Sequence, residues 1–244
     1  VFVGLDNYKQ LFADPTFQLV FKNTIEFTLA CLVVQFTIGF LFAMFFSRKF
    51  TLAGPIRGLV LVGYMTPMSV TALLGKNLFL LDGGVINDLL MKVHLISSPI
   101  DWLVNGGTAL GAVIAVNCWV GIPFNMLLLT SGLTGISTDI YESASMDGAN
   151  AFKRFIYITL PLMKPAMLSV LMLGFIYTFK AFDLMYIMTA GGPFNSTDVL
   201  GTYAYSKAFT QYEFSQGSAI AMVLFACLFL VGIFYLKLLS KEDD

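Results

Sequence analysis

The fold of this chain is decided by one polar stretch, Thr138-Asp-Ile-Tyr-Glu-Ser-Ala-Ser-Met-Asp-Gly-Ala-Asn-Ala-Phe-Lys-Arg-Phe-Ile-Tyr-Ile-Thr-Leu-Pro161, which lies between two long apolar runs. Six charged residues lie between Asp139 and Lys164. Ionisable side chains are costly in hydrocarbon, so this stretch is predicted to lie outside a bilayer even though its flanks are suited to one.

The polar stretch is predicted to begin with a short helix. Asp139 is followed three residues later by Glu142, a spacing that resembles a capping box at a helix start. Gly148 is the natural break after this helix, because glycine adopts a positive φ that alanine adopts only at a cost.

A second short helix is predicted after Gly148. Its apolar residues recur every three or four positions, opposite Lys153 and Arg154: Phe152, Phe155, Ile156 and Leu160. Pro161 is expected to end the regular hydrogen-bond pattern, because proline has no backbone N–H. The prediction is a hairpin of two short helices set at an angle at a membrane surface.

Outside this hairpin the composition is that of a membrane protein. The 244 residues are 57% hydrophobic and 12% charged, whereas a soluble domain has about 25% charged residues. A spanning helix needs roughly 20 apolar residues, and five runs satisfy this requirement: residues 23–46, 57–76, 109–133, 165–188 and 218–236. Because these runs are apolar on all sides rather than alternating, they predict an all-α polytopic membrane protein.

Composition also argues against several functions. The net charge of −1 provides no basic surface for nucleic acid. The three cysteines lie in apolar runs without metal-ligand spacing, and His94 is the single histidine. The sequence has no His-Glu-x-x-His, Gly-x-Ser-x-Gly or P-loop pattern, which makes an intramembrane enzyme the weakest alternative. We therefore predict no catalytic residue, metal or cofactor, and energy supplied by a partner chain.

The positions of lysine and arginine predict the orientation. They are concentrated in alternate connections, which the positive-inside rule assigns to the cytoplasm: Arg48, Lys49, Arg57, Lys153, Arg154, Lys164, Lys237 and Lys241. The C-terminus is then cytoplasmic and residues 1–22 are external. Since nothing in these residues would carry them across the membrane, a further helix is expected before Val1.

The hairpin resembles the loop signature of binding-protein-dependent ABC permeases, in which Glu-Ala-Ala and a following glycine precede Ile-x-Leu-Pro. The matching residues are Glu142, Ala144, Asp147, Gly148, Ala149, Ile158, Leu160, Pro161 and Pro165. Ser143 replaces the first alanine of the motif, which is a change between small residues.

Weaker matches narrow the resemblance to the carbohydrate-uptake branch of the family. They occur in the family's order along nearly the whole chain: Phe2–Tyr8, Trp119 with Pro123-Phe124, Phe182-Asp183, Gly191-Gly192-Pro193 and the region from Tyr203 to Phe209. Gly75 departs from the pattern, because related permeases often carry a bulky aromatic residue there.

The resemblance implies one transmembrane domain over residues 1–244, usually with six spans, in a bacterial-type cell membrane. Residues 139–161 would be its cytoplasmic coupling loop. Two permease subunits would form the pathway for a sugar or polyol delivered by an extracytoplasmic solute-binding protein, and each would contact one of two ATPase subunits. The residues implied in ATPase coupling are Tyr141, Glu142, Ser143, Ala144, Ser145, Asp147, Gly148, Ala149, Ile158, Leu160 and Pro161. Docking is expected through Tyr141, Ala144 and Ser145.

Candidate substrate-pathway residues are polar or aromatic groups within the apolar runs: Asn117, Trp119, Asn125, Tyr177, Lys180 and Asp183. Lys180 and Asp183 are three residues apart and are expected to pair with each other, and asparagines in spans often only join helices. The Gly191-Gly192-Pro193 turn is expected to begin an outer loop of roughly 25 residues that reaches toward the pathway or a binding protein. An ABC permease for a non-sugar substrate and an ion-coupled secondary transporter remain alternatives, although no internal repeat is evident.

Overall fold

The computed structural model describes residues 4–47 and 51–240, and within these ranges every regular element is a helix. In chain order they are α1 (Asp6–Ala13), α2 (Pro15–Phe46), α3 (Ala53–Met65), α4 (Met68–Leu78), α5 (Val85–Lys92), α6 (Ala109–Thr134), α7 (Thr138–Met146), α8 (Ala151–Phe179), α9 (Asp183–Met188), α10 (Leu200–Tyr205), which a π turn continues over Ser206–Thr210, and α11 (Phe214–Ser240). Phe2, Arg48, Lys49 and Lys241 lie outside the described residues.

Four of the described helices, α2, α6, α8 and α11, are long and apolar enough to cross a membrane. A fifth candidate is the pair α3 and α4, which is bent by 96°. The second predicted run is therefore not one straight helix. The break falls at Pro67, which precedes α4 with extended backbone and has no N–H to continue α3.

The fourth predicted run, residues 165–188, is also wrong as a single span. α8 begins earlier, at Ala151, and ends at Phe179. Phe182, with φ −134° and ψ −62°, then separates it from the short helix α9. Lys180 and Asp183 are the only charged residues near this break and their neighbours are apolar, so hydropathy averaged over a long window does not detect it.

The chain divides into two compact units, of which the first comprises Val1–Cys31, Thr66–Cys118 and Ile176–Val231. Its core contains Phe17, Phe27, Met185 and Leu200, and α4 packs against α9. Gly75 of α4 lies against α6: a Cβ built there would be 2.6 Å from a methyl carbon of Val116. Gly75, the residue that departs from the predicted aromatic pattern, is thus required for the close packing of α4 on α6.

The second unit comprises Leu32–Met65, Trp119–Phe175 and Gly232–Asp244. Ala43, Leu129, Met163 and Val170 form its buried core. Partly buried aromatic rings extend this core, and the ring of Phe40 lies 6.2 Å from that of Phe155 in α8. These contacts join α2, α6 and α8 within the unit.

Many large apolar side chains face outward along the long helices. In the most apolar window of α11 only 11% of residues are buried inside the chain, and Phe229, Leu230 and Phe234 are each more than half exposed. A soluble monomer rarely exposes so continuous an apolar surface. Lipid or neighbouring subunits are therefore needed to cover it.

Candidate functional site

The polar hairpin begins with α7, whose first turn is capped by Ser137. The Ser137 hydroxyl accepts a hydrogen bond from the Asp139 N–H at 3.3 Å. The predicted capping box at Asp139 and Glu142 is therefore wrong, since Asp139 is already the second helical residue. Serine caps a helix about as well as aspartate does, and the Asp139 carboxylate still interacts favourably with the positive end of the helix dipole.

α7 ends at Met146, and Gly148 terminates it in the way the sequence predicts. Gly148 has φ +80°. Its N–H donates to the Ser145 carbonyl at 3.1 Å, and the Ala149 N–H donates to the Ala144 carbonyl at 2.9 Å. This pair of hydrogen bonds is a Schellman motif, which requires a left-handed residue at this position.

The second half of the hairpin is not a separate short helix. Asn150 caps the N-terminus of α8 by accepting from the Lys153 N–H at 2.9 Å, and α8 then continues to Phe179. Pro161 does not end it, contrary to the prediction. Phe155–Thr159 form a π turn in which the Leu160 N–H donates to the Phe155 carbonyl, and the helix continues through Pro161 although that residue has no N–H to donate.

Side-chain hydrogen bonds tie α7 to α8. The Tyr141 hydroxyl lies 3.0 Å from Thr159 Oγ1, and Arg154 Nη1 donates to Ser145 Oγ at 2.8 Å. The Ser145 hydroxyl donates in turn to the Tyr141 carbonyl at 2.6 Å. The helix face predicted to dock on a partner is thus turned toward α8 at Tyr141 and Ser145.

The remaining surface of the hairpin is exposed and partly apolar. Met146 is 89% exposed and Phe152 is 72% exposed, with Ile140 also exposed. We call these three residues the tip surface. The other predicted coupling residues lie around it: Glu142, Ser143, Asp147 and Pro161 are exposed, and Ala144, Ala149, Ile158 and Leu160 are partly buried.

The predicted pathway residues of the first unit are Asn117, Tyr177, Lys180 and Asp183. Asn117 is buried, and its amide donates to Cys31 Sγ at 3.3 Å. Tyr177, Lys180 and Asp183 are exposed. The expected Lys180–Asp183 pair is wrong: α8 ends before Lys180, whose Nζ lies 5.2 Å from the centre of the Tyr177 ring instead.

The predicted pathway residues of the second unit differ sharply from each other. Trp119 is 66% exposed, whereas Asn125 is only 3% exposed. The Asn125 amide donates to the Gly121 carbonyl at 2.8 Å, and a Cβ at Gly39 would come within 2.6 Å of Asn125 Cβ. Asn125 is therefore a packing residue of α2 and α6, while Trp119 presents a free aromatic surface.

The segment after Gly191-Gly192-Pro193 is ordered, and the expected long loop contains α10. The amide of Asn23 in α2 donates to the carbonyls of Asn195 and Asp198, at 2.9 and 3.2 Å. The Asp198 side chain accepts from the Thr202 hydroxyl at 2.8 Å. Burial raises the pKa of Asp198 above its ordinary value, and the Thr202 hydrogen bond opposes this shift.

The contacts of Asn23 with the segment around Asp198 are not predictable from the sequence, because Asp198 resembles an ordinary loop carboxylate there. The only available signal was Asn23 at the edge of an apolar run, where a buried amide needs hydrogen-bond partners. Within the described residues, no group of three His, Cys, Asp or Glu side chains is arranged to hold a metal ion.

The chain is similar to known proteins in its family profile, in the sequences of relatives and in the fold of a solved structure. The profile of the family described as "Binding-protein-dependent transport system inner membrane component" matches residues 35–241. The sulfoquinovosyl glycerol transport system permease protein SmoG of Agrobacterium fabrum is 32% identical over 242 residues, which cover 99% of this chain and 78% of SmoG. The trehalose/maltose transport system permease protein MalF of Thermococcus litoralis is 31% identical over 236 residues, covering 97% and 79%.

A solved structure shares the fold. A chain of a bacterial alginate ABC transporter, in complex with an alginate pentasaccharide-bound periplasmic protein, superposes with a TM-score of 0.86. The match covers 96% of this chain and 81% of that chain, at 20% sequence identity.

Proposed function

The chain belongs to the binding-protein-dependent inner membrane transport components, in the carbohydrate-uptake branch of the ABC permeases, and from this premise we propose that it forms half of the transmembrane pathway of an ATP-driven sugar importer. The observation that carries the proposal is the match over almost the full chain to permeases named for sugar transport. The substrate would be a sugar or related polyol.

The hairpin is the proposed contact with an ATPase subunit. Large apolar side chains exposed on a polar element favour a protein partner, and the tip surface presents Met146 and Phe152 in this way. Glu142 is exposed beside it and offers a carboxylate to a cationic group of the partner. Because docking through Tyr141 and Ser145 would require their contacts with α8 to break, we assign docking to the tip surface and Glu142.

The same hairpin would transmit movement to the pathway. α8 runs without interruption from Ala151 to Phe179, a length of about 43 Å at 1.5 Å per residue. A displacement applied at α7 therefore reaches the far end of α8 as a rigid-body motion. This link accounts for how ATP hydrolysis on a separate subunit would drive a chain whose sequence contains no P-loop pattern.

The proposed complex contains a second permease subunit, two ATPase subunits and an extracytoplasmic solute-binding protein. The binding protein is supported by the alginate transporter, whose structure includes a periplasmic protein loaded with sugar. The hairpin and the C-terminus would both face the cytoplasm, since Lys153, Arg154, Lys164 and Lys237 belong to the connections that the positive-inside rule assigns to that side.

For the pathway itself we propose that the exposed residues contact substrate and the buried ones support the helices. In the first unit, Tyr177 presents an aromatic face suited to stacking on a sugar ring, and Lys180 and Asp183 offer charged groups to sugar hydroxyls. In the second unit, Trp119 presents an exposed aromatic face of the same kind. Asn117 and Asn125 are already hydrogen-bonded inside the chain, so their role is packing.

An uptake assay in cells that lack the gene tests the substrate class. Radiolabelled monosaccharides, disaccharides, polyols and amino acids are supplied in turn, with and without the gene restored. The proposal predicts that restoration recovers uptake of a sugar or polyol. Recovery of amino-acid uptake alone would contradict the sugar assignment while leaving the family intact.

A further inference from the structure

We propose that Tyr141 and Arg154 are positioning residues for ATPase coupling: their bonds to Thr159 and Ser145 clamp α7 onto α8, so that the hairpin moves as one body. The effect on transport rests on the proposed function, but the contacts that join α7 to α8 lie within this chain. We call the two pairs, Tyr141–Thr159 and Arg154–Ser145, the clasp.

The clasp joins the two helices at two separate points. Tyr141 bonds Thr159 at 3.0 Å, and one turn later along α7 Ser145 bonds Arg154 at 2.8 Å. The earlier residue of α7 pairs with the later residue of α8, as expected for antiparallel helices joined by a short turn. A single contact would leave α7 free to rotate about it, whereas two contacts fix its direction.

The π turn of α8 makes this arrangement possible. In an ordinary α-helix each residue turns by about 100°, so Arg154 and Thr159, five residues apart, would lie about 140° apart around the axis. A π turn closes its hydrogen bonds from residue i to i+5 and so returns residues five apart to nearly one face. Phe155–Thr159 is such a turn, and Thr159 Oγ1 also lies 3.4 Å from the Arg154 carbonyl.

The clasp matters because the covalent connections of α7 are weak mechanical links. α7 is joined to α8 through Gly148 in a left-handed conformation, with no atom within 4 Å of where its Cβ would be. No side chain fills the space at the Gly148 Cβ position, so two backbone hydrogen bonds hold the turn. Without the clasp, a push on α7 would tilt that helix instead of moving α8.

Hydrogen–deuterium exchange on the full chain in lipid nanodiscs tests the clasp without any transport partner. In Tyr141→Phe and Arg154→Ala, the amides of α7 are expected to exchange about five-fold faster, the factor that one hydrogen bond contributes. The double variant is expected to multiply the two effects. Matched controls are Tyr157→Phe and Lys153→Ala, because both side chains are exposed on the same helix outside the clasp. Unchanged exchange in the double variant would overturn the clasp.

The coupling role is tested in the assembled importer. The number of ATP molecules hydrolysed per sugar imported should rise at least several-fold in the double variant, with assembly and ATP hydrolysis retained, and stay at the wild-type value in the controls. Arg154→Lys, which keeps a donor, should recover part of the coupling. An unchanged ratio in a double variant with faster α7 exchange would overturn the coupling role. A wild-type complex without ATP-dependent uptake would instead refute the proposed function, and the exchange result would still decide whether the clasp exists.

Discussion

Replacing Gly148 isolates the backbone contribution to the hairpin. Gly148 has φ +80° and open space at its Cβ position, so a substitution there meets no steric clash and costs only backbone strain. A left-handed conformation costs a non-glycine residue about 1–2 kcal/mol, and a β-branched side chain is strained further. Since 1.4 kcal/mol is a factor of ten, Gly148→Ala should reduce the population of the native turn roughly five- to thirty-fold, and Gly148→Val should reduce it more.

The assay is sugar uptake per ATP hydrolysed in the reconstituted importer, with membrane insertion measured separately. Gly148→Val should insert normally and hydrolyse ATP while losing most uptake. Gly148→Asn should be milder, because asparagine tolerates this conformation better than other residues. Gly111→Ala is the matched control, since Gly111 also has open space but lies inside α6. Full coupling in Gly148→Val would refute the reasoning.

Three further predictions concern helix packing, the pH dependence of stability and the pathway. Gly75→Ala should lower the melting temperature, because the new methyl group meets Val116 at 2.6 Å. Adding Val116→Ala to this variant should recover part of the loss in a thermal unfolding scan. No recovery would contradict the close contact. Burial raises the pKa of Asp198 above its ordinary value of 3.8. The protonated carboxyl therefore stabilises the fold at low pH, and this stability is lost as the pH rises through the raised pKa. Melting curves across pH should show this loss in the wild type and not in Asp198→Asn. Trp119→Ala should raise the KM for sugar in transport kinetics without changing the melting temperature. Asn125→Ala should lower the melting temperature in an unfolding scan without changing the KM.

The long helices were the most predictable part of the fold. α2, α6 and α11 each contain one of the predicted runs, because a continuous apolar segment of that length has few other stable structures. The two failures occur where the backbone breaks while the composition stays mostly apolar. Pro67 and the residues between Phe179 and Asp183 interrupt helices without adding enough polarity to end a hydrophobic run.

In the hairpin, the local signal at Gly148 was reliable, whereas those at Asp139 and Pro161 were not. The conformation of Gly148 followed from residue type alone. The cap was ambiguous, because Ser137, Thr138 and Asp139 are all good capping residues in consecutive positions. The π turn has no composition of its own, so neither the continuation of α8 past Pro161 nor the pairing of Tyr141 with Thr159 was visible in the sequence.

The roles of the candidate pathway residues were also not predictable from the sequence. Asn117, Trp119 and Asn125 were selected as polar or aromatic residues in an apolar run, and sequence gave no basis for separating them. Their exposure does so: Trp119 faces outward and the two asparagines are hydrogen-bonded inside. Which way a side chain points in a helix that is apolar on every side depends on neighbouring helices, and those are known only from the fold.

The most direct test of the account is the energy source for transport. The chain is reconstituted into proteoliposomes with its second permease and the ATPase subunits, and sugar is supplied on its binding protein. The account predicts accumulation that requires ATP, the ATPase and the binding protein together, and that persists when ion gradients are collapsed. Accumulation driven by an ion gradient in vesicles that contain no ATPase would contradict it.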